Sequence, residues 1–132
     1  MYTSIVEKKE NEDFFITFFQ EKIEKDFEIR SFYLKGEIWS MAIFSQNDDN
    51  TKVDSRKYNG KIINRNVRYN LPKDLEEKII LLMNKLDLSS GSLDFIKSGN
   101  KFYFLEVNPV GQFGNVSFYC NYDLAYKLAE NL

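Results

Sequence analysis

Apolar and polar positions along this chain change their spacing several times, and each change marks an element. From Phe27 to Ser45 the pattern is a hairpin. Phe27, Ile29, Ser31 and Tyr33 alternate with Glu28, Arg30, Phe32 and Leu34, and Lys35-Gly36 makes the turn. Glu37 to Phe44 returns as an apolar strand carrying Trp39, Met41 and Ile43. After Pro72 the period lengthens. Leu75, Ile79, Leu82 and Leu86 recur at helical spacing among the acids Asp74, Glu76 and Glu77, with Pro72 placed for the first turn and Gly91 shortly past the end. A second hairpin comes next, from Ser92 to Ile96, through a turn at Ser98-Gly99-Asn100, and back along Lys101 to Asn108. Pro109, Gly111 and Gly114 break the pattern, and an amphipathic helix runs from about Asn121 to Asn131 with Leu124, Leu128 and Ala129 facing inward.

Three stretches are less regular. Residues 1–13 are polar and charged without a period. Phe14-Phe15-Ile16-Thr17-Phe18-Phe19 is a short aromatic run whose composition favours a buried strand. Residues 46–70 are the least regular: Gln46 to Asn50 reads as solvated loop, Asn64 to Arg68 is polar and basic, and a loop this long is usually functional or mobile. There is no internal repeat, so residues 1–132 are expected to form a single domain.

Composition limits the chemistry. Hydrophobic residues make up 43% and aromatics 16%, enough to form a core. A net charge of −2 argues against a protein built to hold nucleic acid. The absence of His excludes Ser-His-Asp triads, Cys-His dyads and His-ligated zinc from this chain. The single cysteine, Cys120, cannot form an internal disulfide, which fits a reducing cytoplasm, and reads as a small apolar residue near a helix start. No apolar run approaches a membrane span, and the N-terminus lacks a signal-peptide pattern. What remains is carboxylate, Arg, Lys, Asn and hydroxyl chemistry, the groups used at magnesium and phosphate sites.

The second hairpin concentrates these groups. Glu106 and Asn108, two apart on a strand, project together in line with Phe104. With a three-residue turn, Asp94 opposes Phe104 and lies diagonal to Glu106 on the same face, whereas a two-residue turn moves Asp94 to the opposite face. Two carboxylates and a carboxamide oxygen suit Mg²⁺, which takes few carboxylates, keeps waters and draws other ligands from phosphates.

The surrounding residues add a resemblance. Ser89-Ser90-Gly91-Ser92-Leu93-Asp94-Phe95-Ile96, with Tyr103-Phe104-Leu105-Glu106-Val107-Asn108-Pro109-Val110-Gly111-Gln112, closely resembles the end of the ATP-grasp fold. The chain is most similar to maturases of graspetide (microviridin-type, grasp-with-spasm) peptides. The resemblance takes in Gln20-Glu21-Lys22-Ile23, Glu28-Ile29-Arg30, Asp54-Ser55-Arg56, Asn64-Arg65-Asn66 and Cys120-Asn121-Tyr122. It implies an α+β fold: a C-terminal ATP-grasp subdomain with a mostly antiparallel sheet flanked by two or three helices. It also implies that Asp94, Glu106 and Asn108 are magnesium ligands, with Glu106 bridging two ions. By the same resemblance Gln20, Glu21 and Ile23 pass the adenine, Glu28 contacts ribose or substrate, and Arg30 and Arg56 face phosphate or the acyl phosphate. Arg30 also shares a strand face with Glu28, so a same-face ion pair is its structural alternative. Arg68 stays outside the expected site. Gly111-Gln112-Phe113-Gly114 lacks the spacing and lysine of a phosphate-binding loop and reads as a turn into the last helix, where Gln112 could touch substrate.

The implied activity is ATP-dependent conversion of Glu or Asp side chains in an acidic precursor peptide into acyl phosphates, followed by ester or amide macrocyclisation. ATP and Mg²⁺ are the implied cofactors. The partners are the precursor peptide, the N-terminal half of the fold with its phosphate-contacting lysines, and a possible second copy; nucleic acid and membrane are not among them. Lys22 and Lys25 do not substitute for those lysines, so the chain alone is expected to be incomplete and inactive. Two other readings stand beside this one: a non-catalytic peptide-binding or dimerisation module, and a carboxylate–amine ligase acting on other substrates.

Overall fold

A computed structural model describes residues 4–7, 15–16, 18–45 and 64–131. Strand β1 (Phe27–Leu34) and β2 (Glu37–Phe44) form the expected hairpin. Lys35 and Gly36 both have positive φ, 46° and 98°, the two-residue turn whose twist matches its flanking strands. Strand β3 (Arg65–Tyr69) pairs with β2, helix α1 (Lys73–Lys85) follows, and β4 (Ser90–Ser98) and β5 (Lys101–Asn108) form the second hairpin. Two short helices, α2 (Gly114–Cys120) and α3 (Leu124–Glu130), follow β5. The sheet is antiparallel throughout, in the order β3-β2-β1-β4-β5, so the α+β expectation holds.

Each face of the sheet has its own core. On one, Ile29, Tyr33, Leu93 and Phe95 pack against Ile79 and Met83 of α1. On the other, Phe32, Leu34 and Met41 pack against Val116, Cys120 and Leu124 of α2 and α3. This second cover is partial, because the polar residues Glu28, Arg30, Asp94 and Glu106 share that face through the cross-strand register.

Several expectations are corrected. Arg65–Tyr69 is a strand rather than loop: its alternation is carried by polar residues, and Asn66 and Arg68 turn toward the α2–α3 side opposite Ile43 and Met41. The Phe14–Phe19 run is no buried strand among its described residues, since Phe15 and Ile16 are 93% and 107% exposed. The α1 stripe buries Ile79 and Met83, one turn apart, while Leu86 is exposed. The helix expected over residues 121–131 is the shorter α3, and an unexpected helix, α2, precedes it; the two are separated where Asn121 and Asp123 take left-handed φ of 52° and 53°. Leu124 is buried and Leu128 packs beside it, whereas Ala129 is exposed. Cys120 is buried, but at the end of α2 rather than at a helix start.

Arg68 explains how this break is held. Its guanidinium donates to the carbonyls of Cys120 and Asn121 at the end of α2, and lies 4.6 Å from the centre of the Tyr122 ring. The Tyr122 hydroxyl donates in turn to the Ser40 carbonyl at 3.0 Å. Among the described residues, no helix is long and apolar enough to cross a membrane.

Candidate metal and nucleotide site

The β4–β5 hairpin is built differently from the sequence expectation, yet brings Asp94 and Glu106 together. Its turn has two residues, Gly99 and Asn100, between the paired Ser98 and Lys101. In an unbroken ladder that turn sends Asp94 to the far side from Glu106. A β-bulge at Leu105 intervenes: Phe95 pairs with Phe104, and the next pair is Asp94 with Glu106. Asp94 therefore lies directly opposite Glu106, not diagonal to it and not opposite Phe104. The same bulge separates Phe104 from Glu106. Phe104 turns to the α1 face and packs edge-on against Phe95, with ring centres 5.7 Å apart, while Glu106 and Asn108 look the other way.

The neighbouring strands extend this into a row. Arg68, Met41, Arg30, Asp94 and Glu106 are successive cross-strand partners over all five strands. Arg30 forks onto Asp94, with Nε donating to Oδ1 at 2.8 Å and an Nη to Oδ2 at 2.7 Å. The two side chains are 25% and 22% exposed. The hydrogen bond to Asp94 raises the Arg30 pKa; desolvation works against it, and the charges of Asp94, Glu106 and Glu28 reinforce it. The alternative Arg30–Glu28 pair does not form: Glu28 pairs with Lys25, whose side chain is only 6% exposed.

Glu106 is exposed and makes no hydrogen bond or ion pair to another described residue. Asn108 stands one rung further along, opposite Ser92, and its Oδ1 accepts the Val110 N–H at 3.1 Å. That loop is tight: Gly111 donates to the Asn108 carbonyl, has φ +66°, and lies where a Cβ would meet the Phe32 ring at 3.1 Å. Gln112 is exposed beside it.

The remaining predicted residues are placed less closely. Gln20 and Glu21 are exposed and Ile23 half-buried, on irregular backbone leading into β1. That segment is pinned to the second hairpin, since Asp26 N–H donates to the Lys97 carbonyl and Gly99 N–H to the Asp26 carboxylate, both at 2.8 Å. No hydrogen bond joins Gln20, Glu21 or Ile23 to the charged row among the described residues. Arg56 lies outside the described residues. Sequence reasoning set Lys25 aside as a phosphate contact without pairing it to Glu28, and assigned Ser92 no role of its own. The i,i+3 spacing of Lys25 and Glu28 was one available signal. The other was the place of Ser92 two residues before Asp94, where its hydroxyl is buried with no partner among the described residues.

No protein-family model and no curated protein matches the chain. Solved structures do. A ribosomal-peptide-associated ATP-grasp ligase of Chryseobacterium gregarium, in complex with ADP and a leader and core peptide, is 32% identical with TM-score 0.66, over 71% of this chain and 28% of that one. The chain has the fold of an ATP-grasp subdomain and resembles the graspetide-type ligases. Macrocyclase MdnC of Microcystis aeruginosa, bound to its precursor peptide MdnA, gives 32% identity and TM-score 0.60, over 76% of this chain and 30% of that one. The ATP-grasp ligase PsnB, complexed with a phosphomimetic minimal precursor, Mg and ADP, shares the fold at 13% identity and TM-score 0.66, over 82% and 32%. The chain thus spans about a third or less of each of these ATP-grasp neighbours.

Whether the residues fit a metal can be judged from the donor set. Asp94, Glu106 and Asn108 offer two carboxylates and one neutral oxygen on one face, with Glu106 unencumbered. No group of three His, Cys, Asp or Glu gathers among the described residues. Mg²⁺ needs no such group, because waters and phosphate oxygens complete its shell. The set fits an ion that arrives with phosphate.

Proposed function

We propose that this chain is the C-terminal, magnesium- and nucleotide-binding part of an ATP-grasp ligase that activates acidic side chains of a precursor peptide for macrocyclisation. The observation that supports this most is the row Arg30–Asp94–Glu106 with Asn108 beside it on an open sheet face. In the reaction so proposed, a Glu or Asp carboxylate of the peptide attacks the γ-phosphorus of ATP, giving an acyl phosphate and ADP. A Ser or Thr hydroxyl, or a Lys amine, of the same peptide then attacks the acyl carbon, and phosphate leaves as the ester or amide closes.

The chain's own residues have separable parts in this. Asp94, Glu106 and Asn108 would hold Mg²⁺, which when bound offsets charge building on the phosphoryl oxygens. Arg30, already shaped to a bidentate oxyanion, would orient a phosphate or acyl phosphate. Arg56 is proposed for the same task. Gln20, Glu21 and Ile23 would line the adenine, with Glu28, steadied by Lys25, toward the ribose or substrate. No covalent enzyme nucleophile is required, in keeping with a chain without His.

The exposed run Phe15, Ile16, Phe18 and Phe19 favours a second reading, a binding or dimerisation module without chemistry. Calorimetric titration of Mg–ATP into the chain separates the two. The ligase reading expects binding that disappears in the Asp94→Ala/Glu106→Ala variant. Binding unchanged by that variant would remove the site from this hairpin.

A further inference from the structure

Arg30 already holds the carboxylate that the site would offer to a cation. Its fork engages both oxygens of Asp94, at 2.8 and 2.7 Å, in a setting that leaves about a quarter of each side chain exposed. A guanidinium keeps its charge at any working pH, so the competitor for Asp94 is permanent and intramolecular. Glu106, next in the row, makes no hydrogen bond or ion pair among the described residues, and a single exposed carboxylate is a weak ligand for free Mg²⁺. A metal ion arriving alone must therefore pull Asp94 from the fork and leave a half-buried guanidinium with nothing equivalent to bind.

A metal ion arriving with a phosphate chain meets a different balance. The guanidinium fork matches phosphate as well as carboxylate, so the oxygens it gives up at Asp94 are replaced by phosphate oxygens. Such an exchange would conserve the hydrogen bonding of Arg30 and would free Asp94 for the ion. The two changes are coupled.

We propose that Arg30 determines which species the Asp94–Glu106 pair accepts, excluding free Mg²⁺ by holding Asp94 and yielding it to Mg²⁺ only in company with a polyphosphate. This rests on the metal-site reading above and assigns Arg30 a selecting role in addition to its contact with phosphate.

The test compares wild type with Arg30→Lys and Arg30→Gln, titrating MgCl₂ alone and then Mg–ATP into the full chain by calorimetry. Far-UV circular dichroism checks that each variant is folded. Arg30→Lys is the decisive variant, because it keeps the charge and loses the fork, so a gain there is not a simple effect of net charge. The expected result is opposite movement of two affinities. Free Mg²⁺ binds the variants more tightly, by roughly five- to thirty-fold as the strength of a partly exposed charge-assisted pair implies. Mg–ATP binds them more weakly than wild type. Equal or weaker binding of free Mg²⁺ by both folded variants, with wild type still binding Mg–ATP, overturns the selecting role and leaves the metal site standing. Failure of wild type and both variants to bind either titrant overturns both.

Discussion

The Arg30–Asp94 fork makes a quantitative prediction about stability that does not depend on any ligand. Fully exposed ion pairs are worth roughly 0.2–1 kcal/mol, and hydrogen bonds to charged groups sheltered from water about 1.5–3 kcal/mol. With Arg30 and Asp94 at 25% and 22% exposure, the pair belongs between these ranges, nearer the upper. A double-mutant cycle of Arg30→Ala, Asp94→Ala and the double variant should give a coupling energy of about 2 kcal/mol by urea unfolding. Asp94→Ala alone should cost about 2–3 kcal/mol, because it strands a largely buried guanidinium. The double variant should be no worse than the Asp94 single. Molar salt should reduce the coupling only in part, since the pair is shielded from the ionic atmosphere. A coupling below about 0.5 kcal/mol would place the pair with ordinary surface contacts and rule out Arg30 as a strong competitor for Asp94.

Other expectations follow from the same geometry. Glu106→Ala should change stability by no more than about 0.5 kcal/mol in urea titration, since the side chain is exposed and makes no hydrogen bond or ion pair among the described residues, while abolishing Mg–ATP binding. Gly111→Ala should cost about 1–2 kcal/mol in the same assay, from the left-handed backbone alone, with more from the Phe32 contact. Arg68→Ala should lower the thermal midpoint and loosen α2 and α3 selectively, seen as faster amide exchange at Cys120 to Leu124. Burial raises the Cys120 thiol and the Tyr122 phenol above their ordinary values. The unfolded chain therefore loses these protons first, so stability is full below the ordinary thiol value of about 8.5 and declines as pH rises toward the folded one. Urea midpoints should fall over that range, and Cys120→Ala should lessen the fall.

What the sequence made legible was whatever local chemistry decides. Lys35-Gly36 accepts positive φ at both turn positions, and Pro72 with the acids behind it starts a helix, so β1, β2 and α1 follow without tertiary knowledge. Features set by distant partners were not legible. β3 has few apolar residues and exists because β2 offers it an edge. The aromatic run from Phe14 has strand composition, yet its described residues lie outside the five-stranded sheet. The break between α2 and α3 depends on Arg68, some fifty residues upstream. Asp94, Glu106 and Asn108 were singled out by their motif, but their geometry rests on two offsetting departures, a tighter turn and a bulge at Leu105. Neither leaves an unambiguous mark in the residue pattern. The Arg30–Asp94 fork was equally hidden, because it requires β1 and β4 to be neighbours, a consequence of sheet order rather than of sequence proximity.

Asp94, Glu106 and Asn108 are proposed to form the face that holds the metal–phosphate group. Substituting Mn²⁺ for Mg²⁺ in the presence of ATP, and recording paramagnetic broadening of the amide resonances, locates the ion directly. Broadening centred on Asp94, Glu106 and Asn108, extending to Arg30 on the adjacent strand, is the predicted result. Broadening centred on the acids of α1, Asp74, Glu76 and Glu77, or uniform across the chain, would contradict the assignment.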